Sequence, residues 1–97
     1  MNILKMYPKP HPQTAGRVID GEAVLILADS SEVNVLNQVG SRIFELANGR
    51  NSVEEISEII AGEYEISREK ADSDVTEFIR QLVDQSVVVL ADAKEEI

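Results

Sequence analysis

At Leu36-Asn37 the hydrophobic pattern changes period, and this divides the chain into a strand-forming first part and a helical second part. Before the change, apolar residues come in short runs: Val18-Ile19, residues 23–28 and residues 32–36, separated by Asp20-Gly21 and Asp29-Ser30-Ser31. The separators are turn chemistry, because Gly21 accepts positive φ after Asp20 and short Asp and Ser side chains satisfy nearby backbone groups. The pattern predicts three short strands in a meander. Tight connections make neighbours antiparallel and leave the third strand at an edge.

After Asn37 the apolar residues recur at helical spacing. Asn37 is the expected N-cap of a helix through Ala47, with Val39, Ile43, Phe44 and Leu46 as its apolar stripe and Gly49 as its stop. Ser52-Val53-Glu54-Glu55 forms a capping box, in which Ser52 and Glu55 satisfy each other's amides, and opens a second helix whose Val53, Ile56, Ile59 and Ile60 face the core. A third helix is predicted from Ser67 to about Gln85, with Glu69, Asp72 and Asp74 near its positive end. Its apolar residues fall on two adjacent stripes, Ala71, Val75, Phe78 and Leu82 on one, Ile79 and Val83 beside them. Residues 87–90 read as a short terminal strand or a packed extension. The fold class is therefore α+β, a three-stranded antiparallel sheet followed by three helices.

A chain of 97 residues suits one domain, which at this size buries roughly two-thirds of its unfolded surface. Pro8, Pro10 and Pro12 remove amide donors and restrict their neighbours, so residues 1–16 are expected to be a flexible arm. Residues 17–91 then make the domain and residues 92–97 a charged tail. With four aromatics, Tyr7, Phe44, Tyr64 and Phe78, the core must be mainly aliphatic.

Several chemistries are disfavoured. Eighteen acidic and nine basic residues give a formal charge of -9, which repels phosphate backbones and anionic membranes and favours basic or neutral partners. Without cysteine there is no disulfide, thiolate nucleophile or thiolate metal site. His11, the sole histidine, lies between prolines and reads as a solvated bystander; a hydrolase would need it held against a nucleophile and an acid. The carboxylates Glu54-Glu55-Glu58 and Asp72-Asp74-Glu77 are spaced as helix surface, without the glycine-centred loop of a calcium site. Gly16 and Gly21 have the outer spacing of a phosphate loop, but Glu22 and Ala23 follow where lysine and a hydroxyl residue belong. No cofactor, metal or catalytic set is therefore expected. Neither a secretory signal nor a membrane-spanning stretch is present, and a cytoplasmic location is expected.

Asp20-Gly21-Glu22-Ala23-Val24-Leu25, Val35-Leu36-Asn37-Gln38-Val39-Gly40, Ile43-Phe44-Glu45-Leu46 and Asn48-Gly49 together resemble the PqqD-like family, named for pyrroloquinoline quinone biosynthesis protein D. Ser52-Val53-Glu54-Glu55-Ile56, and Ala71, Asp74-Val75, Phe78-Ile79 and Leu82, extend the resemblance to about residues 17–90. It implies a winged helix-turn-helix-like domain that recognises the leader of a ribosomally made, modified peptide. The leader adds as a strand to the third strand, in a groove bordered by the third helix. The precursor is then presented to a modifying enzyme, often of the radical S-adenosylmethionine type. Phe44 stands where many relatives carry tryptophan, a difference expected to affect packing. The pathway is pyrroloquinoline quinone biosynthesis or that of another modified peptide.

The residues fit such a site. Residues 32–36 hold one charge and no proline, so the predicted edge is not blunted against pairing. Strand addition takes affinity from main-chain bonds and sequence choice from side-chain pockets. Val33, Asn34, Val35 and Leu36 are assigned to backbone capture, Ile79 and Val83 to an apolar floor, and Asp72 and Thr76 to the same helical line. An open edge also permits pairing of two copies, so a monomer or a homodimer is expected. A competing reading makes the third helix a DNA-recognition helix. That helix carries Arg68, Lys70 and Arg80 against Glu69, Asp72, Asp74, Glu77 and Asp84, the wrong balance for meeting phosphates.

Overall fold

The computed structural model describes residues 2–12, 14–19, 22–27 and 32–94, with backbone alone for residues 15–19, 22–27 and 32–35. The Asp20-Gly21 and Asp29-Ser30-Ser31 turns lie, wholly or in part, outside the described residues. A 3-10 turn, Ile3–Lys5, leads into strand β1 (Tyr7–Pro10), then β2 (Thr14–Ile19), β3 (Glu22–Leu27) and β4 (Glu32–Val35). Helices α1 (Gln38–Leu46), α2 (Val53–Tyr64) and α3 (Arg68–Asp84) follow, and β5 (Val88–Ala91) closes the chain. The class is α+β. β1 and β5 form a two-stranded antiparallel ladder, and β2, β3 and β4 pair antiparallel in that order.

Each helix begins where its capping chemistry lies. The Asn37 side chain accepts the Gly40 amide at 2.7 Å, and the Ser41 hydroxyl donates to the Leu36 carbonyl at 3.1 Å. These two bonds set the angle at which α1 leaves β4. At α2, the Glu55 amide donates to Ser52 Oγ at 3.1 Å and the Ser52 amide to the Glu55 carboxylate at 2.8 Å, the reciprocal pair of a capping box. Ser67 accepts the Lys70 amide to start α3, directly after Glu65 has turned the chain at a positive φ of 54°. That short reversal lays α3 back along α2.

The central core consists of Ile43, Leu46, Ala47, Val53, Ile56, Ile60, Val75 and Ile79. Full burial of each large aliphatic side chain is worth about 1.5–3 kcal/mol, so this α1–α2–α3 layer contributes strongly to stability. The buried stripe of α3 is Ala71, Val75, Ile79 and Leu82, whereas Phe78 and Val83 are only partly buried. Ile79 takes the core position expected of Phe78. Adjacent apolar residues differ by about 100° around a helix, so periodicity alone does not choose between them.

The described part of residues 1–16 is not a loose arm. Tyr7–Pro10 pairs with Val88–Ala91, Met6 and Pro8 are buried, and Thr14 already belongs to β2. Backbone bonds join this segment to the helices: the Val53 amide donates to the Met6 carbonyl at 3.0 Å and the Gly49 amide to the Pro8 carbonyl at 2.8 Å. Proline lacks an amide but keeps its carbonyl, and Pro8 uses it here. The His11 amide and Thr14 hydroxyl both donate to the Val87 carbonyl, so the His11 backbone is anchored.

At the surface, Arg42 of α1 reaches Glu63 of α2 with Nε and Nη2, at 2.9 and 2.7 Å, and also pairs with Glu45. The Arg42 hydrogen bonds hold the Glu63 carboxyl below its ordinary range, and the guanidinium stays charged throughout. A carboxylate with a lowered folded pKa contributes stability above its unfolded pKa and loses it as pH falls through the folded pKa. Solvent exposure keeps that contribution within about 1 kcal/mol.

Two outcomes follow in chemical denaturation. Met6→Ala lowers stability by about 2 kcal/mol or more, whereas a free arm would leave it unchanged. Glu63→Gln lowers stability at pH 7, and its difference from the native protein shrinks as pH falls below about 4; a gap that persists in acid would show that the ion pair is not its source.

Candidate functional site

β4 ends the β2–β3–β4 order, so its outer edge has no strand partner among the described residues. Its register on β3 sets Glu32 opposite Leu27, Val33 opposite Ile26, Asn34 opposite Leu25 and Val35 opposite Val24. In an antiparallel ladder alternate residues turn their amide and carbonyl inward to the neighbour, and the others turn them outward. β4 therefore leaves one of its two alternating sets open for a further strand.

Immediately after β4, Leu36 packs against the cluster of Leu82, Val87 and Val88, to which Phe44, Phe78 and Val83 also contribute. Phe78 is the α3 side chain that reaches the start of α1: a Cβ added to Gly40 would lie 3.0 Å from its Cζ. A side chain at position 40 would press on this ring and on Asn37 Oδ1, 3.1 Å from the same Cβ, and one of them would have to shift by a few tenths of an ångström. Leu36, Phe44, Phe78 and Val83 are all partly buried, forming a semi-exposed apolar patch at the end of the open edge. Val39, on the next turn, is the large apolar residue left exposed among those described, at 39%.

The eight residues assigned from sequence do not form one cluster. Val33, Asn34 and Val35 are in the edge strand, and Leu36 joins it to the apolar patch. Val83 bridges this patch and the central core. Ile79 is 0% exposed within the core, so it supports the surface from beneath and cannot line an open groove. Asp72 and Thr76 line a separate open cleft of about 690 Å³ with Asn2, Ile3 and Leu4. Residues 76 and 78 point about 200° apart on an α-helix, which puts that cleft on the far side of α3 from Phe78. Phe78 lies in this patch, and the sequence reading did not assign it to the site. Its helical line also suits core packing, and its proximity to Gly40 is visible only in the fold.

Among the described residues no group of three or more His, Asp or Glu could hold a metal ion, and no helix is long and apolar enough to cross a membrane. What the arrangement offers is a strand edge with no further strand partner among the described residues, beside a partly buried apolar patch.

The family model of coenzyme PQQ synthesis protein D (PqqD) matches residues 22–88. Among solved structures, the chain is similar to TbiB1 in complex with the TbiA(beta) leader peptide, with 31% identity, a TM-score of 0.75, and coverage of 82% of this chain and 93% of that one. It also shares its fold with lasso peptide synthetase B1 complexed with the leader peptide, at 20% identity and a TM-score of 0.77, covering 86% of this chain and 98% of that one. No curated protein matches the chain.

The fit of Phe78 over Gly40 is testable by a double-mutant cycle. Gly40→Ala combines gained helix propensity with a clash against the ring, and Phe78→Leu removes the clashing Cζ. The stability change caused by Gly40→Ala becomes more favourable in the Phe78→Leu background by about 0.5 kcal/mol or more; strict additivity would mean that the two groups do not touch.

Proposed function

The chain belongs to the family of coenzyme PQQ synthesis protein D, and we propose that it is a non-catalytic module that captures the leader of a ribosomally made precursor peptide and presents it to a modifying enzyme. The observation that carries this reading is the free edge of β4 running into the Leu36, Phe44 and Phe78 patch. The likeness to a leader-bound structure at 31% identity supports it. A winged helix-turn-helix description, with the β2–β3–β4 sheet as the wing beside α2 and α3, is consistent with this use of the strand edge.

The energetics require both parts of the site. A peptide added to β4 gains about four main-chain hydrogen bonds, each worth about 0.5–1.5 kcal/mol net. Association alone costs about 4 kcal/mol or more, before the peptide is ordered. Main-chain bonding therefore does little better than break even and cannot select a sequence. An apolar leader side chain buried against Phe78 and Leu36 adds about 1.5–3 kcal/mol and fixes the register. The net charge of -9 favours a leader with basic or neutral residues and makes its capture weaken with salt.

Presentation needs no chemistry from this chain. The partner enzyme, for which we propose a radical S-adenosylmethionine type, supplies the reaction, and this module raises the local concentration of the precursor's modifiable part near it.

An amide chemical-shift titration with the N-terminal half of a short precursor peptide encoded beside this chain's gene tests the site. Shifts should concentrate on residues 32–40 and around Phe78, and Val35→Pro should abolish binding without unfolding the protein if the Val35 amide faces outward. Native affinity in the Val35→Pro protein would falsify strand addition at β4.

A further inference from the structure

The cleft on the far side of α3 has a composition that the leader site does not use. One wall is the 3-10 turn with Ile3 and Leu4, both partly buried, and the other is the polar face of α3 with Asp72, Thr76, Glu77 and Asp84. Arg80 is the single cation among its lining residues, against three carboxylates. Neither Glu77 nor Asp84 forms an ion pair among those found in the described residues. Asp72 is ion-paired with Arg68 of its own helix, Oδ1 to Nη2 at 3.6 Å, and its side chain stays one-third exposed.

We propose that this cleft is a second docking surface, taking a basic, apolar-faced segment of the modifying enzyme while the leader occupies β4. The proposal rests on the peptide-presenting reading above. Charge decides the occupant. A second copy of this chain carries the same net charge of -9, and nucleic acid is repelled for the same reason. A Lys- or Arg-bearing segment meets Asp72, Glu77 and Asp84 and covers Ile3 and Leu4 with its aliphatic parts. A leader strand on β4 would have to cross α3 to reach the cleft, because Phe78 and Thr76 point to opposite sides of the helix. Both surfaces can therefore be occupied together, as presentation requires.

The test uses isotope-labelled full-length protein and a synthetic amphipathic 14-residue peptide of lysine and leucine as stand-in for the enzyme segment. Amide shifts should fall on residues 2–4 and 72–84, and the triple variant Asp72→Asn, Glu77→Gln, Asp84→Asn should weaken binding by about tenfold or more. The variant should bind the precursor leader with unchanged affinity. Shifts spread over Glu54, Glu55 and Glu58, or an unweakened triple variant, would overturn the second surface and leave leader capture standing. Loss of leader binding in the native protein would instead remove the reading on which the proposal rests.

Discussion

Burial of one face of α3 is the constraint on which the rest of this molecule depends. Val75 and Ile79 are inaccessible to solvent and pack with Val53, Ile56 and Ile60 of α2 and with Ile43 of α1. Once that face is committed, the orientation of every other α3 side chain follows from helical geometry. Phe78 is turned toward the β4–α1 junction, and Asp72, Thr76 and Glu77 toward the 3-10 turn. A single helix thereby borders two separate surfaces, and the core between them holds both in place. Functional residues on a rigid helix are positioned more accurately than residues on loops.

The N-terminal segment supplies what a chain of this size needs. A small domain has little apolar surface to bury, and here residues that look unsuitable for a sheet contribute to it. β1 is Tyr-Pro-Lys-Pro, yet its Pro8 carbonyl serves the loop before α2, the Met6 carbonyl just ahead of it serves α2 itself, and Pro8 is buried. β5 closes against it after Ser86, whose positive φ of 59° allows the Val87 amide to return to the Leu82 carbonyl. β1 and β5 are thus tied to each other and to the helical layer.

Local chemistry was legible in the sequence, and tertiary choice was not. Asn37, Ser52 and Ser67 announced the starts of the helices because a capping side chain acts within three residues of itself. Leu36-Asn37 marked the change from extended to helical backbone for the same reason. The ordering of residues 7–10 was not legible, because proline is scored locally for its missing amide while its partner strand lies about eighty residues away in sequence. Nor could periodicity tell which of Phe78 and Ile79 enters the core. That choice depends on Gly40, which accepts the ring, and the two residues are brought together only by the fold. Residues 33–35 were correctly located as strand, whereas Asp72 and Thr76, expected beside that edge, line a separate cleft on the other side of α3 from Phe78.

The acidity of the chain acts differently on its two surfaces. In the site proposed at β4, capture would rest on main-chain bonds and an apolar patch, which ionic strength affects weakly, with the net charge adding a long-range preference among leaders. On the far side of α3 the carboxylates are themselves part of the surface. Short-range charge there selects a partner that the leader site would not distinguish. A module that must hold a peptide and be recognised by an enzyme gains from this division, because the two contacts draw on different physical interactions and do not compete for the same side chains.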